Sequence, residues 1–202
     1  MMEIEQIQEK LKSVLSKSRY EHSIGVQEVS DDLAVIYGYD EKKAALAGIL
    51  HDCAKYLSDE ELLKECRDNK ITVTAVERRC PFLLHAKVGA LYAQKKYEID
   101  DQDILTAIRF HTTGRPGMTL LEKILFISDY IEPYRKPLPR IEEIRKAAYF
   151  DLDRGVSMTL ENMIVYLKET GRIMDTTTQA AYNYYNQDLN KSYLYTGIAR
   201  TK

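Results

Sequence analysis

Several shortages in this sequence each close off a class of function. Its charge is nearly balanced, with 29 Lys and Arg against 31 Asp and Glu for a formal −2. It therefore has no basic field for wrapping a nucleic-acid backbone, and no nucleic-acid partner is expected. No apolar run approaches the roughly 20 residues that a bilayer-spanning helix needs. The opening MMEIEQIQEKLKS has neither the basic start nor the apolar core of a secretory signal. No membrane partner is expected, and the protein is placed in the cytoplasm. Cysteine is scarce: Cys53, Cys66 and Cys80 form an odd set with no C-x-x-C spacing, which argues against disulfides and a structural thiolate zinc site. There is no internal repeat, no low-complexity tract and no alternating stretch that reads as a strand.

What the sequence does have is helical periodicity. Its 202 residues, 45% hydrophobic, suffice for one sizeable core and suggest one domain over 1–202. Ile4, Ile7, Leu11 and Val14 step by three and four, as do Val26, Val29, Leu33 and Ile36 before Gly38, a natural helix stop. Ser58 with Glu61, Thr74 with Glu77 and Thr119 with Glu122 have capping-box spacing and predict three helix starts. Ile104 and Ile108 mark a further helix, and LLEKILFISDYIE another that Pro133 closes. A last helix is expected over 152–169, followed by a Tyr-rich tail after Gly171, with 114–117 and 132–139 as loops. The fold class is all-α, a compact helical bundle with its core over about 15–186 and a C-terminal tail over about 187–202.

Within that pattern the stretch AGILHDCAKYL, residues 47–57, sets a histidine and an aspartate in a greasy helix. On a helix running from the N-cap Asp40 through Leu57, Leu46, Ile49, Leu50, Cys53 and Leu57 form one apolar stripe. Ala44, Gly48, His51, Asp52 and Lys55 fall opposite. The small residues before His51 imply a close neighbour on that side, so His51 and Asp52 would line an internal cleft. Only three other histidines exist, and each extends an apolar stripe: His22 with Val26 and Val29, His85 with Val88 and Tyr92, His111 with Ile108 and Ile104. Asp129 follows Leu125 by one turn in the same way. Any one buried histidine is ordinarily satisfied by a carbonyl. Several polar groups aimed into one core must satisfy each other or share an ion, because an unpartnered one costs roughly 2–7 kcal/mol. Imidazoles and carboxylates without thiolates suit iron, manganese, cobalt or zinc.

The order His22, then His51-Asp52, then a distant Asp129 in an all-α chain resembles the HD-domain metal-dependent phosphohydrolase superfamily. RYEHSIGV, AGILHDCAKYL, HTTGRPGMTLLEKILFISDYIEPYR and YNYY narrow the resemblance to its YqeK-type branch, the symmetrical diadenosine-tetraphosphate hydrolases, over roughly residues 15–186. That resemblance implies that His22, His51, Asp52 and Asp129 ligate one metal, with iron first in line. His85 and His111 would hold a second ion bridged through Asp52 or contact substrate phosphate. The reaction implied splits diadenosine tetraphosphate into two ADP by metal-activated water, with Asp52, Lys55, His85 and His111 as catalytic groups. Two positions depart from the family pattern: Tyr134 stands in place of glycine, and Asp175 in place of a proline-flanked histidine.

Substrate contacts follow from the need to neutralise phosphate. Lys55 lies one turn beyond His51 and reads equally as a surface lysine. Arg115 and Arg135 lie on loops beside proposed site residues, where a guanidinium fork suits phosphate oxygens. Arg19 precedes His22 by one turn, and Thr112 offers a hydroxyl. Tyr182, Tyr184 and Tyr185 could stack on a base but more often would pack. Other readings stay open: a different HD nucleotide phosphohydrolase such as a nucleoside monophosphatase, a non-catalytic nucleotide-binding module, or a di-iron oxygenase. The expected partners are a dinucleoside polyphosphate substrate and a nucleoside diphosphate product, and a homodimer is among the assemblies allowed.

Overall fold

A computed structural model of the chain describes residues 2–135 and 137–197. Eleven helices occur among the described residues: α1 (Ile4–Val14), α2 (Lys17–Tyr37), α3 (Glu41–Leu50), α4 (Asp59–Asp68), α5 (Ala75–Arg79), α6 (His85–Tyr97), α7 (Gln102–Phe110), α8 (Leu120–Ile131), α9 (Ile141–Phe150), α10 (Leu152–Glu169) and α11 (Thr176–Gly197). A short 3₁₀ turn, Pro81–Leu84, leads into α6. No strand is present among them, and none of the helices is long and apolar enough to cross a membrane. The all-α expectation therefore holds.

Local sequence sets most of the boundaries. Ser58, Thr74 and Thr119 each cap a helix, accepting from the backbone of Glu61, Glu77 and Glu122, and those glutamates bond back to the cap. The three expected capping boxes are all made, each satisfying two amide groups that a helix start leaves free. Asp40 and Asp101 cap α3 and α7 in the simpler way. Gly38 ends α2 at φ +66°, a conformation in which a Cβ would be strained.

Two boundaries differ from the expectation. The helix carrying the His-Asp pair stops at Leu50 and does not run to Leu57. Beyond it the bonds from Cys53 N to Leu50 O and from Lys55 N to Asp52 O span three residues instead of four, so the chain tightens into successive turns. The Tyr-rich segment, expected as a tail, is helical through Gly197, started by Asp175, whose carboxylate accepts from Thr177 N at 2.8 Å. The end of the expected tail, 198–202, lies outside the described residues.

One hydrophobic cluster runs from Ile7 on α1 to Tyr185 on α11. Ile7, Leu11, Leu33, Leu46, Ile49, Leu50, Ile104, Ile108 and Leu121 are fully buried in it, each worth about 1.5–3 kcal/mol in transfer free energy. At the centre α2 packs on α3 and α8, and α7 on α3, α6 and α8. The α2–α3 contact is the tight one. A Cβ at Gly48 would lie 2.8 Å from the Gln27 Cα and 3.0 Å from the Ser30 hydroxyl, so the expected close neighbour of the small side of α3 is the backbone of α2. Gly48→Ala gains up to ~1 kcal/mol of helix propensity but must push a backbone aside, at a cost of about 1–3 kcal/mol. We expect a net loss of stability in chemical denaturation; an equal or higher midpoint would refute this account of the contact.

Candidate metal centre

Five segments bring their polar groups to one point. His22 comes from the second turn of α2, His51 and Asp52 from just beyond α3, His85 from the start of α6, His111 from just beyond α7, and Asp129 from the last turns of α8. All four histidines and Asp52 are buried. Each ring is held by its Nδ1. His51 Nδ1 donates to Gly48 O at 2.7 Å, His111 Nδ1 to Ile108 O at 2.7 Å, and His85 Nδ1 to Phe82 O. His22 Nδ1 meets the Glu132 carboxylate at 3.0 Å. A carbonyl can only accept, so the proton of each neutral ring sits on Nδ1 and the Nε2 lone pair points inward.

Those lone pairs crowd each other. His22 Nε2 and His51 Nε2 are 3.2 Å apart, and so are His85 Nε2 and His111 Nε2. Asp129 Oδ1 is 3.1 Å from His22 Nε2, and Asp52 Oδ2 is 3.5 Å from His51 Nε2. Bonds of about 2.1 Å to one ion would set neighbouring ligand atoms about 3.0–3.4 Å apart, depending on geometry. His22, His51 and Asp129 bring ligand atoms within 4.8 Å of one another, and so do His51, Asp52 and His111, so His51 is common to both groups. Asp52 Oδ1 is the telling atom: it is buried with no hydrogen-bond partner, facing His85 Nε2 at 3.2 Å and His111 Nε2 at 3.6 Å. A buried carboxylate oxygen opposite two lone pairs is stabilised by a cation between them. The residues fit a metal ion.

Charge and burial separate His22, which holds a second proton when no ion is bound, from His51 and His85, which stay neutral. Burial alone would lower His22, but Asp129, Glu132 and Asp52 outweigh it and raise its pKa to about 9. His51 is lowered by burial, and His85 falls to about 4 through burial and the Lys55 ammonium. Burial opposes ionisation of Asp52, yet His51, Lys55 and His111 hold it well below the usual carboxylate range. Asp129 is held down in the same way by His22, Arg135 and His51 against its own burial.

Cations surround this core. Arg19 Nη1 donates to Asp52 Oδ2 at 2.7 Å, and Arg135 Nη2 to Asp129 Oδ1 at 2.7 Å. Lys55 Nζ lies 3.0 Å from His85 Nε2 and 3.9 Å from Asp52 Oδ1, with its pKa lowered by burial. The Thr112 hydroxyl is 3.1 Å from His111 Nε2 and 3.2 Å from His85 Nε2. Arg115 is not brought in: both arms of its guanidinium are clamped on buried Glu122 at 2.6 and 2.7 Å, tying the 114–117 loop to α8. Glu132 was not legible as a site residue, since only its distance to His22, 110 positions away in sequence, reveals it. Cys53, beside Asp52, is buried with its Sγ donating to Gly89 O, and burial together with the Asp52 charge pushes its thiol up.

Beside the centre lies a cleft of about 610 Å³ whose walls include Phe82, Met163, Tyr166 and Leu167, with Thr112 and Arg135, which touch the centre, and Asp175 also on its lining. Tyr182, Tyr184 and Tyr185 do not line it; the Tyr185 hydroxyl instead accepts from Met118 N at 2.9 Å. Of the two departures from the family pattern, Asp175 caps α11 beside this cleft, and Tyr134 is 61% exposed with its ring over Gly25.

Residues 19–134 match the HD domain family. The chain is 43% identical over 173 residues to a protein of Halalkalibacterium halodurans named bis(5′-nucleosyl)-tetraphosphatase, symmetrical, covering 86% of this chain and 91% of that one. A Bacillus subtilis protein of the same name is 40% identical, covering 86% and 92%. A crystal structure from Clostridium acetobutylicum, described as a predicted HD superfamily hydrolase involved in NAD metabolism, superposes with a TM-score of 0.89 at 40% identity, covering 93% of this chain and 99% of that one. The polar core assembled around Asp52, which could hold a metal ion, thus sits on a hydrolase scaffold, and the chain belongs to the HD domain family, in the branch of the symmetrical bis(5′-nucleosyl)-tetraphosphatases.

Proposed function

We propose that the protein hydrolyses diadenosine tetraphosphate at its central anhydride to give two ADP, with iron as the preferred ion. The observation that carries this reading is the sharing of Thr112 and Arg135 between the metal centre and the neighbouring cleft. A polyphosphate held at the centre therefore has an apolar wall within reach for its nucleoside. Relatives from three organisms that bear the tetraphosphatase name support it. Cytoplasmic location goes with the reading.

When bound, the ion would be held by His22, His51, Asp52 and Asp129, and it supplies an acidified water and a polarised phosphoryl oxygen. The chain's own groups do the rest. Phosphoryl transfer needs positioning and neutralisation of charge more than covalent help. Lys55 and Arg135 stand at the edges of the centre, where they meet phosphate oxygens as negative charge moves to the leaving ADP. Asp52 remains ionised throughout, the form in which a carboxylate can hold an ion. His85, lowered to about 4 by burial and Lys55, stays neutral at working pH and acts as a lone-pair donor, not as a proton source.

Three outcomes test the reading. Protein loaded with iron or manganese should convert diadenosine tetraphosphate to ADP alone, faster than it acts on nucleoside mono- or triphosphates; AMP with ATP among the products would refute symmetrical cleavage. Asp52→Ala should lower turnover by at least about 1,000-fold, equivalent to ~4 kcal/mol of lost electrostatic stabilisation, together with metal content. Normal turnover at normal metal content would misplace the centre. Metal entry must also displace the proton that His22 holds up to about pH 9. Because this pKa is raised, the competition is strongest at low pH, so manganese affinity should climb about tenfold per pH unit from 6.5 towards 9 and then level off. A flat affinity over that range in titrations would show that His22 is not a ligand.

A further inference from the structure

Glu132 stands just past the end of α8 and is 1% exposed. Its two carboxylate oxygens face different neighbours. Oε1 accepts from His22 Nδ1 at 3.0 Å, and Oε2 accepts from the backbone N of Tyr134. The Tyr134 turn delivers Arg135, whose guanidinium reaches both Asp129 O at 2.6 Å and Asp129 Oδ1 at 2.7 Å. The residue itself is pinned from behind: Arg145 of α9 donates to Ile131 O at 3.0 Å and to Glu132 O at 3.2 Å. Space for the carboxylate is made on α2, where a Cβ at Gly25 would lie 2.8 Å from Glu132 Oε2 and 2.8 Å from the Tyr134 ring. Gly25 follows His22 by three residues, so one helical turn carries both the ligand and the clearance for its carboxylate partner.

We infer that Glu132 is a positioning residue that locks the metal centre and the phosphate-binding turn into one unit, fixing the His22 tautomer with one oxygen and the approach of Arg135 with the other. Carboxylate partners of this kind keep a ligating imidazole in the lone-pair-inward form and raise its basicity. The second bond is what extends the role beyond His22. A shift of the turn at 133–135 moves Glu132, and through it the His22 ring. The metal half of this inference stands on geometry alone, while the phosphate half rests on the function proposed above.

Glu132→Gln separates the two bonds, because an amide keeps one acceptor where the carboxylate had two. With its oxygen on Tyr134 N, its NH₂ faces His22 Nδ1 and drives the ring proton to Nε2, against the metal. With its oxygen on His22, its NH₂ faces the Tyr134 N–H and the turn loosens. We expect the manganese dissociation constant of E132Q to rise 10–100-fold. At saturating manganese, KM for diadenosine tetraphosphate should still be raised, and the metal-free protein should keep a cooperative melt lowered by no more than about 10 °C. Gly25→Ala, which keeps the carboxylate but forces it or the Tyr134 ring to shift, should weaken manganese binding in the same direction by less. Parental manganese affinity in E132Q would overturn the inference, as would a loss of affinity matched by a collapse of the metal-free melting temperature. If neither the parent nor the variants cleave the dinucleotide, the proposed function falls, yet the manganese and melting measurements still decide the role of Glu132.

Discussion

Four imidazoles share one small volume because each donates, through the Nδ1–H facing away from the centre, to an acceptor that holds the ring in place. Gly48 O, Phe82 O, Ile108 O and the Glu132 carboxylate perform this for His51, His85, His111 and His22. Were any ring free to turn, its N–H would swing inward and donate to Asp52 or Asp129, satisfying the cluster internally and closing it to an ion. The hydrogen bonds on the outside of the rings thus create the electron-rich interior.

Two of these bonds also settle where helices stop. Gly48 and Ile108 belong to the last turns of α3 and α7, whose carbonyls have no partner further along the helix. A histidine placed just past the end, with its backbone still near helical geometry, folds its ring back onto that carbonyl. The ring is oriented, and the helix end is satisfied, by one contact. Beyond Leu50 the chain tightens into three-residue turns, which advance each residue by about 120° against about 100° in an α-helix, so Asp52 is carried further round the axis while Cys53 and Ala54 stay buried in the core.

Much of this was legible in the sequence, and the division follows range. Capping boxes, the Gly38 stop and the apolar stripes depend on residues within a few positions of each other, so Thr119 with Glu122 or Val26 with Val29 could be read directly. The small face at Ala44 and Gly48 even announced the close approach of α2. The HD pair and its spacing to His22 and Asp129 carried the family. What escaped depends on contacts between distant segments. Glu132 shows its purpose only opposite His22, and Arg115 looks like a phosphate ligand until Glu122, seven residues on and buried, claims it. The end of α3 at Leu50 escaped too, because periodicity alone does not tell a helix from the tighter turns that prolong its stripe. So did α11, whose tyrosines gave no strong apolar period and whose start at Asp175 replaces the residue type the family pattern leads one to expect.

Cys53 adds a point about endurance. A thiol one residue from a candidate metal ligand is a natural target for oxidation and a natural competitor for an ion, but both reactions need the thiolate. Here the sulfur is enclosed by the core and bonded to Gly89 O, beside a permanent negative charge on Asp52. The thiolate is suppressed where it would do most damage. The packing that places the HD pair thereby shields its immediate neighbour from the redox chemistry of whichever metal the centre carries.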